Sequence, residues 1–437
     1  MPSRPPRPAH AQLTALLAAT LATSMSNLAQ TTVLGLLVYQ LTRSELDLGF
    51  LGLAEFAPAA LLVVVAGSVV DRFDRRRVAA LAAMSSTIVA LVLAWYVHHR
   101  DGFATTPIFL LVLAFGAGQA FLSPALSSIL PAMVSGEGVP WLVARRFVVS
   151  EVAAILGPVL AGVLYGVGAW VPLVMVAALA ALGAAAVLAI RVPAEGPLPG
   201  YELSPVGQVG HVLEEGIPAS RGGLHEALDG LRFVRRQSIL LGAISLDLFA
   251  VLFGGAVTLL PAIAVRLHAG AVGFGWLRAS VGLGAGAMSV LISVRPIERR
   301  VGRMLLAAVA VFGAWTIVLG VTHSYTLAFI AIFALSAADA VSVFIRATLV
   351  PLATPAEMRG RVLAVENVFI GASNELGGFE SGAVGQLLGT TGSVVVGGIA
   401  TLVVAIAWAV LFAPLRRIDR FPTPLPAAGG GKEGHRC

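Results

Sequence analysis

The chain alternates long apolar runs with short polar breaks. Runs of 18 to 31 residues recur at about 11–41, 48–70, 78–97, 105–133, 143–167, 169–190, 238–266, 272–294, 304–321, 324–350, 362–388 and 391–413. A helix rises 1.5 Å per residue, so each is long enough to cross a hydrocarbon core of roughly 30 Å. The pattern predicts an all-α membrane protein of about twelve transmembrane helices. The fifth and sixth runs, and the eleventh and twelfth, are separated only by Gly-rich turns. The first run is longer than the 7–15 residues of a signal-peptide core and reads as a retained helix.

One polar stretch interrupts the series. It divides the chain into a six-helix bundle 1–191, a loop 192–237, a second six-helix bundle 238–413 and a tail 414–437. From Leu224 the loop changes character. Leu224, Leu228, Leu231 and either Phe233 or Val234 repeat at helical spacing beside Arg232, Arg235 and Arg236, which predicts an interfacial amphipathic helix. The two bundles also match without gaps at an offset of 220: Pro131 with Pro351, Ala144 with Ala364, Leu156-Gly157 with Leu376-Gly377, and Gly162 with Gly382.

Composition agrees. Hydrophobic residues make up 57% and charged residues 12%, about half the charged share of a soluble domain. The net charge of +6 sits in clusters between apolar runs, without the basic face of a nucleic-acid binder. With both termini cytoplasmic, 24 of the 29 Lys and Arg residues lie inside, including those of 71–77 and 134–146. Arg43, Arg100 and Arg266 lie outside, and Arg278 and Arg346 fall within helices. Cys437 is the only cysteine, which excludes a CxxC metal or redox site. Gly282-x-Gly284-x-Gly286 lies inside an apolar run with no strand before it, and there is no GxxxxGK[ST] loop. Neither a dinucleotide site nor ATP hydrolysis is expected, and no cofactor, metal or enzymatic activity is indicated. His98-His99 reads as a solvated outer turn.

Gly67-Ser-Val-Val-Asp71-Arg72-Phe-Asp74-Arg75-Arg76-Arg77, between the second and third runs, resembles the loop signature of the major facilitator superfamily. Val38-Tyr39-Gln40-Leu41-Thr42, Pro131, Gly157-Pro158-x-x-x-Gly162 and Arg359-Gly360-Arg361-Val362 make the chain similar to the bacterial branch that includes the enterobactin exporter. The resemblance covers residues 11 to 413. It implies the major facilitator fold, two six-helix pseudo-repeats, and transport of a small molecule by alternating access in a bacterial inner membrane. It also implies that Gly67, Asp71, Arg72, Arg75 and Arg76 form a cytoplasmic gate latch, and that Gly157, Pro158 and Gly162 form the helix-5 motif of exporters. The equivalent second-half loop, Arg295 to Arg300, lacks the Gly-x-x-x-Asp element.

Charged side chains at mid-bilayer cost at least about 2.5–3.5 kcal/mol each, so they belong against protein or an aqueous cavity. Here they are Glu55, Glu151, Asp247, Arg278, Asp339, Arg346, Glu366, Glu375 and Glu380. The third, sixth, ninth and twelfth runs carry none, and in the family's fold those four are peripheral. Asp339 and Asp247, then Glu375 and Glu55, are the candidates for loading and releasing a proton. The alternative for each is a hydrogen-bonded structural carboxylate. Asn27, Gln30, Gln119, Arg346 and Glu380 are the candidates for contacting substrate; polar links between helices compete for the amides, and snorkelling competes for Arg346. Arg346 lies seven residues from Asp339, about 10 Å along the axis, so its partner is expected on another helix or in an anionic substrate. The expected partners are a small-molecule substrate, membrane lipid and protons, with the chain as a monomer. An importer or uniporter of the same fold, and a non-transporting receptor or scaffold, are the rival readings.

Overall fold

The computed structural model describes residues 10–99, 104–133, 139–190 and 224–422. The N-terminal arm, Arg100, most of the polar loop and the end of the tail with Cys437 lie outside the described residues, as do the side chains of Pro131, Leu224 and Leu228.

Fourteen helices account for almost all of the described chain. The first six are α1 (His10–Thr42), α2 (Glu45–Arg72), α3 (Arg75–His99), α4 (Thr105–Met133), α5 (Val139–Tyr165) and α6 (Val171–Ala189). The amphipathic helix α7 (Leu224–Arg236) follows. Then come α8 (Ser238–Phe253), α9 (Leu260–Arg266), α10 (Gly270–Val294), α11 (Val301–Val321), α12 (Tyr325–Leu352), α13 (Ala356–Leu411) and α14 (Ala413–Arg416). Ten of the helical stretches are long and apolar enough to span a membrane, and α2, counted across its bend, is an eleventh.

One expectation about continuity needs correction. The seventh run is not one helix: it breaks after Phe253, turns through a 3-10 segment at Gly255–Val257 and resumes at Leu260. Gly254-Gly255 cannot hold the helix, and Gly255 packs against the Gly377 carbonyl of α13, an approach that a side chain would block. The turn between the eleventh and twelfth runs is confined to Gly389. In the 56 residues of α13 only Gly389 is non-helical, at φ 73° and ψ 165°. The chain doubles back there, since Ser393 Oγ donates to the Ser381 carbonyl at 2.7 Å. A straight helix of that length would extend about 80 Å, far beyond one bilayer. Counted this way, α13 supplies two spans and the total is twelve.

The neighbour pattern repeats. In the first half α1 packs on α5 and α6, α2 on α4, and α3 on α4 and α6; in the second α8 packs on α13, α10 on α12, and α11 on α12 and α13. Two helix pairs, α5 with α10 and α2 with α13, join the halves. The residues matched at an offset of 220 serve the same purpose in each. Gly157 lies against the α1 backbone at Met25, and Gly377 against the α8 backbone at Val251. Gly162 meets Gly275 of α10, and Gly382 meets Gly49 of α2.

Both joints close most tightly at the ends away from the arginine-rich loops. There one apolar cluster takes Leu36, Tyr39 and Leu48 from the first half and Leu259, Ile263 and Phe274 from the second. Thr390 Oγ1 donates to Glu45 Oε1 at 2.7 Å across the same seam. At the arginine-rich ends the cores separate: one draws only on residues 13–190, the other only on 243–415. Leu81, Ile88 and Trp95 of α3, Leu182 of α6, Val311 of α11, and Val403 and Ile406 of α13 are exposed, as expected of helices that face lipid. His99 stacks on Trp95 and His98 packs at a tilt against Trp170, in an aromatic belt of the kind found at membrane interfaces.

Two termini show how local chemistry sets the ends. Ser44 caps α2 by accepting from the Asp47 amide at 3.2 Å, with Glu45 and Asp47 in the first turn. Val234 of α7 is buried among Leu240, Ile244, Val350 and Val362, while Arg232, Arg235 and Arg236 stay exposed.

Candidate functional site

Two polar constellations stand out within the spans, one in each half. In the second half α8 brings Asp247, α12 brings Asp339 and Arg346, and α13 brings Glu366. Arg346 Nη2 lies 2.7 Å from Asp247 Oδ1, and Nη1 lies 3.7 Å from Glu366 Oε1. All three side chains are at most 7% exposed. Arg346 therefore does not snorkel to the surface, and its partners come from two other helices. Asp339 lies about two turns before Arg346 on α12 and within the electrostatic reach of Asp247 and Arg346. Three carboxyl groups thus share one guanidinium in an apolar bundle. An ion pair survives such burial only with close geometry. Asp247 has that geometry; Glu366 is held more loosely. Glu366 had no assigned role in the sequence reading, because its spacing from Asp247 and Arg346 along the chain carries no signal.

In the first half, α1, α4 and α5 enclose a cavity of about 400 Å³, including the solvent at its mouth. Thr20, Ser24 and Asn27 line it from α1, Gln119 and Ser123 from α4, and Arg146 from α5. Of the substrate-contact candidates, Asn27 and Gln119 line this one cavity. Arg146, counted among the inner charges of 134–146, is a buried residue, 6% exposed. The distinction lies in the Arg145-Arg146 pair. Arg145 stacks 4.1 Å above the Trp141 ring at the surface, and the next residue, about 100° further around the helix, points inward. Gln30 is fully buried, and neither side-chain polar atom bonds to a described residue.

A third group lies at the joint between the halves. Glu55 of α2, Arg278 of α10 and Glu375 of α13 interact electrostatically. Glu375 reaches so close to α2 that a Cβ at Gly52 would sit 2.8 Å from its Oε2. Glu380, further along α13, accepts a 3.5 Å bond from Ser381 and does not line the first-half cavity.

The loop between α2 and α3 is held by its own half. Gly67 is half-buried, and Asp71 and Arg72 are exposed. Arg75 donates to the Ser128 carbonyl at 3.0 Å, and Arg76 to the Ile190 carbonyl at 2.8 Å. Asp74 caps α3, accepting from the Arg76 amide at 3.0 Å and pairing with its guanidinium at 3.0 Å. That contact with Arg76 holds the Asp74 carboxyl below the usual aspartate range. In the helix-5 motif, Pro158 stands inside α5 and its carbonyl faces Gly275 of α10. Arg266, counted among the outer charges, caps α11 by donating to the Gly320 and Leu319 carbonyls at 3.0 and 3.2 Å.

The comparisons with known proteins agree with this architecture. The chain is 26% identical over 382 residues to the enterobactin exporter EntS of Citrobacter koseri, covering 83% of this chain and 82% of that one. Its fold superposes on a bacterial homologue of the human lysosomal transporter Spinster in an inward-facing, unoccupied conformation. The TM-score is 0.67 at 15% identity, over 93% of this chain and 97% of that one. A POT family transporter in complex with 5-aminolevulinic acid gives 0.71 at 13% identity, over 92% and 96%. The sequence profile of the Major Facilitator Superfamily matches residues 15–304, two thirds of the chain. With its helix order, paired halves and profile in agreement, this multi-pass membrane protein belongs to the Major Facilitator Superfamily of transporters.

Proposed function

We propose that the protein is a proton-coupled exporter of a small amphipathic molecule, a siderophore or drug, working as a monomer by alternating access. Its halves, 1–191 and 238–413, rock about the α5–α10 and α2–α13 joints in a bacterial inner membrane with both termini in the cytoplasm. In that orientation the sealed ends face outward and the separated cores face the cytoplasm, the state from which an exporter loads. The similarity to EntS supports the direction of transport.

The cluster around Arg346 carries the proton assignment. Asp247, Asp339 and Glu366 cannot be balanced by one guanidinium, and the cluster becomes neutral only by taking up two protons. Fully ionised carboxyls in an apolar bundle are expensive. Asp247 acts as the fixed counter-ion, while Asp339 and Glu366 load and release protons as access alternates. Glu55 and Glu375, astride Arg278, sit where relative motion of the halves changes their surroundings, and form a second carboxyl pair open to the same use.

Purified protein in proteoliposomes, given an imposed pH gradient with enterobactin and ethidium as probes, tests the proposal. Gradient-dependent movement of a probe is expected, together with loss of coupling in Asp339→Asn and Glu366→Gln. The proton assignment fails if both variants keep full coupled transport, and the transport reading fails if neither probe moves.

A further inference from the structure

The amphipathic helix α7 lies against protein along its last two turns. Gly230 and Val234, one turn apart, are buried, while Arg232, Arg235 and Arg236 are exposed. Gly230 rests on the Arg361 carbonyl of α13, where a Cβ would come within 2.8 Å of the oxygen. Val234 is 1% exposed, packed among Leu240 and Ile244 of α8, Val350 of α12 and Val362 of α13. One extended residue, Gln237, joins α7 to α8, so the helix is tethered directly to the end of the bundle it covers.

The register of that apolar layer ties it to the Arg346 cluster. Ile244 precedes Asp247 by three residues, Val350 follows Arg346 by four, and Val362 precedes Glu366 by four. Such spacings place each pair on one helix face. On all three helices the apolar residue therefore lies about one turn, roughly 5.4 Å, nearer the arginine-rich end than its charged partner. α12 packs mainly on α10 and α11 and meets α8 and α13 only lightly. The pairs from Arg346 to Asp247 and Glu366 thus bridge a cleft between α12 and the α8–α13 pair, and α7 covers its arginine-rich mouth. A buried water needs roughly two to four polar partners. The layer under α7 is built of aliphatic side chains, and the Thr354 hydroxyl, one turn beyond Val350, donates back to the Val350 carbonyl at 2.7 Å.

We infer that α7 is a stopper, sealing the Asp247–Arg346–Glu366 cluster from water on the arginine-rich side. Val234 closes the aliphatic layer, and Gly230 lets the helix seat on α13. The seal is a property of the packing and holds whatever the cluster does. Its consequence for coupling rests on the proton exchange proposed above. With α7 seated, the cluster has no direct route to the cytoplasm, so protons pass only as the halves move and do not leak around the helix.

Glu366→Cys in a Cys437→Ser background, in the full chain purified into lipid nanodiscs, reads access to the cluster through its rate of labelling by a small charged methanethiosulfonate. Val234→Asp and Gly230→Leu unseat α7 by different means, one by a charge in the aliphatic layer and the other by bulk against the Arg361 carbonyl. Each speeds labelling by roughly tenfold or more, as expected when a protected site opens by local undocking. Replacing Arg232, Arg235 and Arg236 together by Gln alters only the exposed face and leaves the rate unchanged. Leu48→Cys, at the far seam between the halves, labels at the same rate with either α7 variant. Hydrogen–deuterium exchange over 344–350 and 362–368 gives the same reading without a cysteine in the cluster, and decides the matter should Glu366→Cys not fold. Three results overturn the inference: labelling, or exchange in its place, that neither α7 variant changes; an equal rise in the triple arginine variant; or an equal rise at Leu48→Cys, which marks general loosening. The proton assignment is judged separately. A sealed cluster in a protein whose Asp339→Asn and Glu366→Gln variants keep full coupled transport loses only that assignment. Coupled transport lost in those variants, with labelling indifferent to α7, loses only the stopper.

Discussion

Adding a methyl group at Gly162 and Gly382 should pry open the sealed ends of the two halves. A Cβ at Gly162 would lie 2.5 Å from the Ala271 carbonyl oxygen and 3.0 Å from Gly275 Cα; one at Gly382 would lie 2.6 Å from the Glu45 carbonyl oxygen. Ordinary contact begins near 3.4 Å, so Gly162→Ala falls 0.9 Å short (2.5 against 3.4 Å). The neighbours are backbone atoms that cannot swing aside. Overpacking of this kind costs about 1–3 kcal/mol. The higher helix propensity of alanine, up to about 1 kcal/mol, applies whether the seam is open or shut and cancels from the balance between them. Each substitution therefore shifts that balance toward the open seam by about 5- to 150-fold, at roughly 1.4 kcal/mol per tenfold. The two sites lie on different helix pairs, so their effects should roughly add. Leu48→Cys in a Cys437→Ser background reports the shift, because Leu48 is 3% exposed inside the seam and Cys437 is the only native cysteine. Its labelling by a membrane-impermeant maleimide should accelerate in each glycine variant and most in the double variant. An unchanged labelling rate in a double variant that still folds would refute the reasoning, since the glycines would then not govern closure.

Two further outcomes test the charges. Arg346→Met leaves Asp247 and Glu366 buried without their cation and should cost about 3–5 kcal/mol; adding Asp247→Asn and Glu366→Gln should restore most of the loss in thermal melts, and equal losses in the single and triple variants contradict the pairing. Asp74→Ala should cost about 1 kcal/mol by removing the α3 cap, discounted because the side chain is 34% exposed. Since Arg76 holds the folded Asp74 carboxyl below its ordinary value, that contribution is complete above the unfolded aspartate pKa of about 3.9. It is lost as pH falls through the lower folded value. The difference between wild type and variant should accordingly shrink in acid melts, and a difference that is constant with pH counts against the ion pair.

Much of the architecture was readable because the bilayer forces long apolar runs and penalises stray charge. The four runs without ionisable residues do carry exposed apolar side chains, such as Leu81 and Ile88 on α3 or Val403 and Ile406 on α13, but so do charge-bearing helices, as Leu61 of α2 and Val294 of α10 show. The offset of 220 marked glycines that do become equivalent close contacts. Partnership between distant helices was not readable. Nothing along the chain ties Arg346 to Asp247, 99 residues earlier, or sets Glu366 beside both. The burial of Arg146 was not readable because adjacent arginines look alike in sequence, although helical geometry sends one to the surface and the other inward. The capping role of Arg266 was not readable either. A charge at the end of an apolar run reads as a topology marker even when its donors cap a neighbouring helix.

The fold-back at Gly389 has a consequence for how the protein is made. The last two spans share a single non-helical residue, so neither has slack in which to wait for the other. We expect the eleventh and twelfth spans to enter the membrane together as a hairpin, with Ser393 able to reach the Ser381 carbonyl. On that expectation the α2–α13 joint, and with it the second bridge between the halves, closes only after residues 390–411 have been inserted.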